Sequence, residues 1–332
     1  LDTDAMDLTT AFTKHAGVTV PLIGGAMYPC SNPELVAAVS RAGGLGIVQP
    51  VSLVFVHKHQ FRDGLRKIKQ LAGGKPIGLN LLIEKSSKLY LERNKQWLNE
   101  ALDEGVRFFI TALGDPRWVM DIAKPRGGIV YHDVTERKWA EKAVAAGVDG
   151  LICVNDEAGG HAGRQPPQKL YDDLKDMGLP LVCAGGIGSE QGFVRALKTG
   201  YAGVQLGTRF IATTECSAHQ DYKNAILKAQ AKDIVLTEKI TGVPVAVIKT
   251  RYIEETGVDP NPLARFLLKG AKTKHLARLF YSLKSIWQLK ESLQKGSSYK
   301  DFFQAGKSVE WIEKVEPAGD IVRRFARHAQ EA

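Results

Sequence analysis

The chain has few cysteines, no two of them close together at metal-ligand spacing, and no long apolar run. Its four cysteines, Cys30, Cys153, Cys183 and Cys216, lie far apart in 332 residues. That spacing excludes a disulfide-stapled miniprotein and offers no zinc site of CxxC type. Cys153 and Cys183 stand inside apolar runs and read as small buried hydrophobes. No stretch reaches the roughly 18 consecutive apolar residues of a membrane span. The opening Leu1-Asp2-Thr3-Asp4 is acidic and lacks the basic-then-apolar order of a signal peptide. A reducing, cytoplasmic setting is the expectation. No Gly-x-Gly-x-x-Gly follows an early strand and no Gly-Lys-Ser/Thr loop occurs, which disfavours a Rossmann dinucleotide site and a P-loop.

What is present is ordinary globular composition: 44% hydrophobic, 24% charged, with 33 glycines and a formal charge of +9. This excludes a disordered chain and a collagen-like repeat. One large α/β barrel of about 250 residues plus a cap fits the length, and so do two medium domains. The positive charge is uneven. Arg265, Lys269, Lys272, Lys274, Arg278, Lys284 and Lys290 follow one another with no acid between Leu263 and Lys290. A second basic stretch runs from His57 to Lys69. Both read first as solvated helix faces. A nucleic-acid or membrane-binding protein is the competing reading, but Phe280, Tyr281 and Trp287 fall at helical spacings that favour packing.

One phrase recurs: a glycine after a helical stretch, then a short apolar run. It appears at Gly43–Val48, Gly105–Ile110, Gly147–Ile152 and Gly200–Gln205. Glycine past a helix supplies the left-handed residue that ends it. Interleaving four further runs predicts strands over Pro21–Gly24, Leu45–Val48, Ile77–Leu81, Arg107–Thr111, Gly128–Tyr131, Gly150–Val154, Leu181–Ala184 and Gly203–Leu206. They are continuous apolar runs, as expected of parallel strands buried on both faces. Their starts lie roughly 20–32 residues apart, the size of one strand-plus-helix unit. The pattern reads as a closed (β/α)8 TIM barrel, with an open doubly wound sheet as the alternative. Ser31-Asn32-Pro33-Glu34 and Ser189-Glu190-Gln191 predict helix starts. After Gly207 the pattern changes. Ser217–Ala231 reads as helix, Val235–Thr250 has strand-like composition, and the chain from Pro262 reads as helical, broken at Gly296-Ser297-Ser298 and ending in an amphipathic helix at Ile321–Ala329. The expected organisation is a barrel of residues 1–234 and 305–332, with 235–304 inserted as a mostly helical C-terminal cover subdomain.

In a parallel barrel the active site lies at the carboxyl ends of the strands. Those ends carry Gly24-Gly25-Ala26-Met27, Gln49, Asn80, Thr111, His132-Asp133, Asn155–Gly163, Ala184-Gly185-Gly186 and Gln205-Leu206-Gly207-Thr208. Gly185-Gly186 and Gly207-Thr208 follow strands seven and eight, where bare backbone N–H groups suit a phosphate. His161, between Gly160 and Gly163, reads as an acid/base near neutral pH, or as a loop histidine that caps backbone. His132 and Asp133 face the mouth together, or His132 packs in the core while Asp133 caps the next helix.

These loops resemble the nitronate monooxygenase family, formerly called 2-nitropropane dioxygenases, whose relatives include flavin-dependent enoyl-acyl carrier protein reductases and NADH:quinone reductases. The resemblance rests on Pro21–Met27, Ala42–Gly46, Gly78–Leu81, Gly159-Gly160-His161-Ala162-Gly163, Ala184–Ile187, Gln205–Phe210 and Gln304-Ala305-Gly306-Lys307-Ser308. It implies an FMN-binding barrel. Gly185, Gly186, Gly207 and Thr208 would hold the phosphate, while Ala26, Met27 and Asn80 would line the ring or ribityl chain, with Gly25, Gly160, Ala184 and Gln205 close by. His161 matches the family's active-site histidine. Some relatives carry a lysine after strand five, where this chain has Asp133; Lys307 is then the candidate positive charge. The implied reaction converts a nitronate or nitroalkane and O2 to a carbonyl compound and nitrite. An NAD(P)H-dependent reductase of quinones or enoyl thioesters is the second reading. Either would act on a small molecule, as a monomer or homodimer, with no metal, nucleic acid or membrane partner.

Overall fold

The computed structural model describes residues 5–83, 88–238, 244–258 and 302–332. Eight parallel strands close a barrel in chain order: β1 Leu22–Gly24, β2 Leu45–Val48, β3 Ile77–Leu82, β4 Phe108–Ala112, β5 Ile129–Val134, β6 Gly150–Val154, β7 Leu181–Ala184 and β8 Gly203–Leu206. Helices along the described chain are α1 Ala11–Ala16, α2 Pro33–Arg41, α3 Phe61–Leu71, α4 Lys88–Asp103, α5 Arg117–Ala123, α6 Arg137–Ala145, α7 Pro167–Leu174, α8 Glu190–Thr199, α9 Thr208–Ile211, α10 Gln220–Lys228, α11 Arg251–Thr256 and α12 Ala318–Gln330. β9 Ile234–Thr237 and β10 Val245–Ile248 form a separate antiparallel pair. The eight expected strands are all present, and the open-sheet alternative is excluded by the β8–β1 pairing of Ile23 with Gln205. The basic run Leu263–Lys290, the break at 296–298 and the helical reading from Pro262 up to residue 301 lie outside the described residues.

Side chains alternate between two cores. Ile23, Leu45, Ile47, Phe108, Ile110, Tyr131, Ile152, Val182 and Ala184 fill the barrel, and α1 closes its lower end with Phe12 against Phe108 and Tyr131. Leu22, Val48, Leu79, Phe109, Val130, Val134, Cys153 and Val204 point outward into the helix layer. Each fully buried large side chain contributes roughly 1.5–3 kcal/mol through removal from water. Alternation then fixes which residues face the mouth. Two steps beyond inward Ile47 and Tyr131 come Gln49 and Asp133. Asn80 lies two beyond Gly78, which pairs with inward Ile47, and Gln205 pairs with inward Ile23.

The helix starts are only partly as expected. Ser189 caps α8 by accepting a hydrogen bond from Gly192 N at 3.2 Å. Asn32 precedes α2 but makes no capping bond; its amide donates to Glu215 O (2.8 Å) and accepts from Ser217 N (3.1 Å), tying α2 to the segment before α10. The last helix, α12, packs back onto the barrel, with Phe325 against Phe193 of α8 at 5.7 Å between ring centroids. A buried ion network fastens the same corner: Arg209 pairs with Glu316, which also binds Arg324, and Arg324 reaches Glu190.

Candidate active site

The mouth is built from loop backbone on one side. The loop after β6 turns through Asn155, whose side-chain Oδ1 accepts from Glu157 N at 2.9 Å and whose amide donates to Gly185 O at 3.2 Å. This locks the β6 loop to the β7 loop. Gly185 and Gly186 have φ of +122° and +78°, a region that side chains avoid. A Cβ at Gly185 would meet Ala158 N at 2.6 Å, and one at Gly186 would run into the Glu157 carboxylate. The glycines are therefore required by loop packing, independently of any ligand. Segment 302–308 completes this side. Lys307 N donates to Glu157 O (2.9 Å), and Gly306 N donates to Thr208 Oγ1 (3.0 Å). Gly306 and Gly159 meet backbone to backbone, with no room for a side chain on either.

His161 sits on this scaffold. Gly160 bridges to Ala246 of β10, with Ala246 N donating to Gly160 O at 2.7 Å and Gly160 N to Ala246 O at 3.3 Å. Ala305 N donates to the same Ala246 carbonyl at 3.3 Å. The histidine loop is thus held between β10 and the 302–308 segment. The His161 ring is reached by solvent, yet protein surrounds it closely enough that lost hydration lowers its pKa below the usual imidazole value. The ring has no hydrogen-bond partner among the described residues. At pH 7 it is a neutral base with both nitrogens available.

The backbone N–H groups of Gly185, Gly186, Gly207 and Thr208 also have no acceptor among the described residues. They stand at the ends of neighbouring strands β7 and β8. Unpaired N–H groups in such a concavity suit an anionic oxygen. Met27 lies over this place, its Sδ 3.6 Å from a Cβ built on Gly207, and Gly25 N is fixed to Leu206 O at 2.9 Å. Lys307 Nζ stands 3.7 Å from Asp156 Oδ2. Nearby Glu157 is pushed up in pKa by burial, with Lys307 opposing. On the wall, Gln205 Oε1 and Asp133 Oδ1 are buried without a partner. Unpaired buried polar atoms call for a ligand or water. Ala26, Asn80 and Gly160 are half-buried and Ala184 is buried at the same end of the barrel.

One expected site residue is corrected. His132 shares the outward parity of Val130 and Val134. Its Nδ1 is 2.8 Å from Thr111 Oγ1, itself outward on β4. Burial holds its pKa at about 4, so it is a neutral core histidine. The alternation within β5 that turns Asp133 inward necessarily turns His132 away. Conversely, sequence reasoning missed β10 as the support of the histidine loop. Its Val245–Ile248 run was visible as strand composition, but nothing local marks Gly160 as its partner. No group of three or more metal-ligating side chains occurs among the described residues.

A profile of the family described as nitronate monooxygenase matches residues 9–327. The chain belongs to the nitronate monooxygenase family. It is an oxidoreductase of this flavin-dependent family. A probable nitronate monooxygenase of Staphylococcus saprophyticus is 27% identical, over 98% of this chain and 99% of its own. A Rhodococcus jostii protein named (3aS,4S,5R,7aS)-5-hydroxy-7a-methyl-1-oxo-octahydro-1H-indene-4-carboxyl-CoA dehydrogenase is 30% identical, over 74% of this chain and 67% of its own. The structure of FabK from Thermotoga maritima superposes with a TM-score of 0.80 at 25% identity, covering 97% of this chain and 96% of that one. No described helix is long and apolar enough to cross a membrane.

Proposed function

We propose that this protein is an FMN-dependent oxidoreductase of nitronate monooxygenase type. It oxidises alkyl nitronates, or the parent nitroalkanes, with O2 to a carbonyl compound and nitrite. The observation that carries the reading is His161, without a hydrogen-bond partner among the described residues, at the same mouth where four backbone N–H groups lack acceptors among them. FMN fits those groups: its phosphate matches the N–H groups of Gly185, Gly186, Gly207 and Thr208, and its polar ring edges match the unpaired Gln205 and Asp133 oxygens. Met27, Ala26 and Asn80 would flank the ring, and Lys307 would add positive charge beside the phosphate.

Bound there, FMN supplies the electron transfer, while the protein supplies orientation and electrostatics. Neutral His161 accepts a proton from the carbon of a nitroalkane, or hydrogen-bonds a nitronate oxygen once that proton is gone. The Gly160–Ala246 bridge fixes the backbone next to His161. We take residues 235–304 to be the cover of this mouth, inserted into a barrel of 1–234 and 305–332. The β10 contacts to Gly160 and to Gln304 support that division. Nitrite release from an alkyl nitronate in air, without NAD(P)H, tests the assignment. Absence of turnover with any nitronate would sink it.

A second reading is an NAD(P)H-dependent reductase of quinones or enoyl thioesters on the same barrel. The likeness to a relative named for a CoA ester favours its thioester arm. Rapid anaerobic bleaching of the bound flavin by NADH or NADPH would decide for it.

A further inference from the structure

Asp133 is the ionisable member of the wall that closes the barrel at its mouth; Gln49, Asn80 and Gln205 are its counterparts on β2, β3 and β8. It lies two residues beyond inward Tyr131 and pairs with Ile152 of β6. Its Oδ1 is sealed from water and finds no partner. No lysine, arginine or histidine among the described residues forms an ion pair with it. From β6 the inward neighbour is apolar Ile152; the adjacent Cys153 thiol turns outward into the helix layer, its pKa pushed up by burial and by Cys183 and Asp133. On its own strand His132 turns outward, bound to Thr111 of β4. A carboxylate with a buried, unpaired oxygen carries a large desolvation penalty, whereas a carboxylic acid is neutral and presents a donor. Burial accordingly raises the Asp133 pKa to about 7.

We propose that Asp133 serves as a neutral carboxylic acid on the floor of the mouth, donating a hydrogen bond to an acceptor atom of the ligand ring above it. The inference rests on the FMN reading, since a flavin ring offers carbonyl oxygens and ring nitrogens as acceptors. It has a redox consequence. Two electrons placed on that ring by an external reductant such as dithionite strengthen the hold of Asp133 on its proton. Above the pKa of the oxidised protein, reduction then draws one additional proton from solvent onto the Asp133 carboxylate.

Two measurements test this, using wild type and Asp133→Asn, which keeps a donor but cannot ionise. Asp133→Ser serves the same end if the amide variant does not fold. In flavin-free protein, the infrared band of a protonated carboxylic acid should be present at pH 5.5, fade through about pH 7 and be missing from the variant. With FMN bound, the midpoint potential of wild type should fall more steeply with pH above neutrality than that of the variant, by the equivalent of one proton per two electrons. A carboxyl already ionised at pH 5.5, or parallel potential curves, would overturn the proposal. If the protein takes up no FMN, the FMN reading fails, and the infrared titration still decides the protonation of Asp133.

Discussion

The two sides of the barrel mouth are built on opposite principles. The side formed by the loops after β6, β7 and β8 is backbone against backbone, with glycines packed too closely for side chains and segment 302–308 fastened across them. The side after β2 and β4 instead exposes apolar side chains. Phe55, in a single π-helical turn over Ser52–Val56, is 41% exposed beneath the Arg93 guanidinium, and Leu113 is 57% exposed with a left-handed φ of +63°. The difference suggests a division of labour. On the proposed reading, the first side would fix charged and polar atoms of a ligand, which requires rigidity, and the second would offer apolar surface where shape matters more than charge.

Five substitutions sharpen or break that contrast. The largest effect belongs to His161→Ala, on the rigid side. Loss of a general base lowers turnover by roughly 10^2–10^4-fold, while flavin content and unfolding midpoint stay as in wild type. A variant with unchanged kcat would remove His161 from the chemistry. Next is Glu316→Ala. It strands the Arg209 guanidinium, only 2% exposed and placed just after Thr208. Breaking one partner of such a buried pair costs about 3–5 kcal/mol, read by urea unfolding.

Asp133→Asn should change how stability depends on pH. His132 has a folded pKa of about 4 against 6.5 ordinarily. Its contribution is complete above 6.5 and is lost as pH falls towards 4, worth about 3 kcal/mol over that window. Asp133 is shifted upward to about 7 from 3.8, so it acts in the other direction: its contribution is greatest in acid and lost as pH rises towards 7. The two slopes oppose each other in the wild type. Asp133→Asn removes one, so the variant gains on wild type from pH 4 to 7 and loses stability more steeply on acidification. Parallel stability curves would mean that Asp133 ionises normally.

Gly306→Ala places a Cβ 2.4 Å from Glu157 O and 2.6 Å from Gly159 N. Both are backbone atoms with little freedom to yield, so the expected loss is about 1–3 kcal/mol, with weakened FMN retention. On the apolar side the sign reverses. Leu113→Gly relieves a left-handed leucine that buries little, and should raise stability by up to about 1 kcal/mol. Destabilisation there would show that this rim is packed as tightly as the other.

Much of this was legible in the sequence. Strands buried on both faces read as apolar runs, and helix-ending glycines such as Gly105, Gly147 and Gly200 marked where each began. All three are left-handed in the structure. The Gly185-Gly186 and Gly207-Thr208 turns after β7 and β8 and the His161 loop were recognisable because their position along the repeat placed them at the mouth. The direction of His132 was not. The run expected for β5 ended at Tyr131, whereas the strand continues to Val134, and alternation acts only on residues known to be in the strand. The bridge from Gly160 to Ala246 was equally hidden, because contacts between distant backbone atoms leave no trace in residue type. The reason for the glycines was half legible: the sequence suggested approach to a phosphate, while the structure adds the packing of Asn155, Glu157 and Ala158 against them.

On the proposed reading, the rigid side holds the phosphate of FMN on backbone N–H groups that have no acceptor among the described residues. This central claim is tested most directly by titrating flavin-free protein with FMN and with riboflavin, which differ only in that phosphate. Charge-assisted hydrogen bonds to the phosphate should make FMN bind at least about tenfold tighter than riboflavin, a difference of about 1.4 kcal/mol. Equal affinities, or no binding of either flavin, would contradict the account.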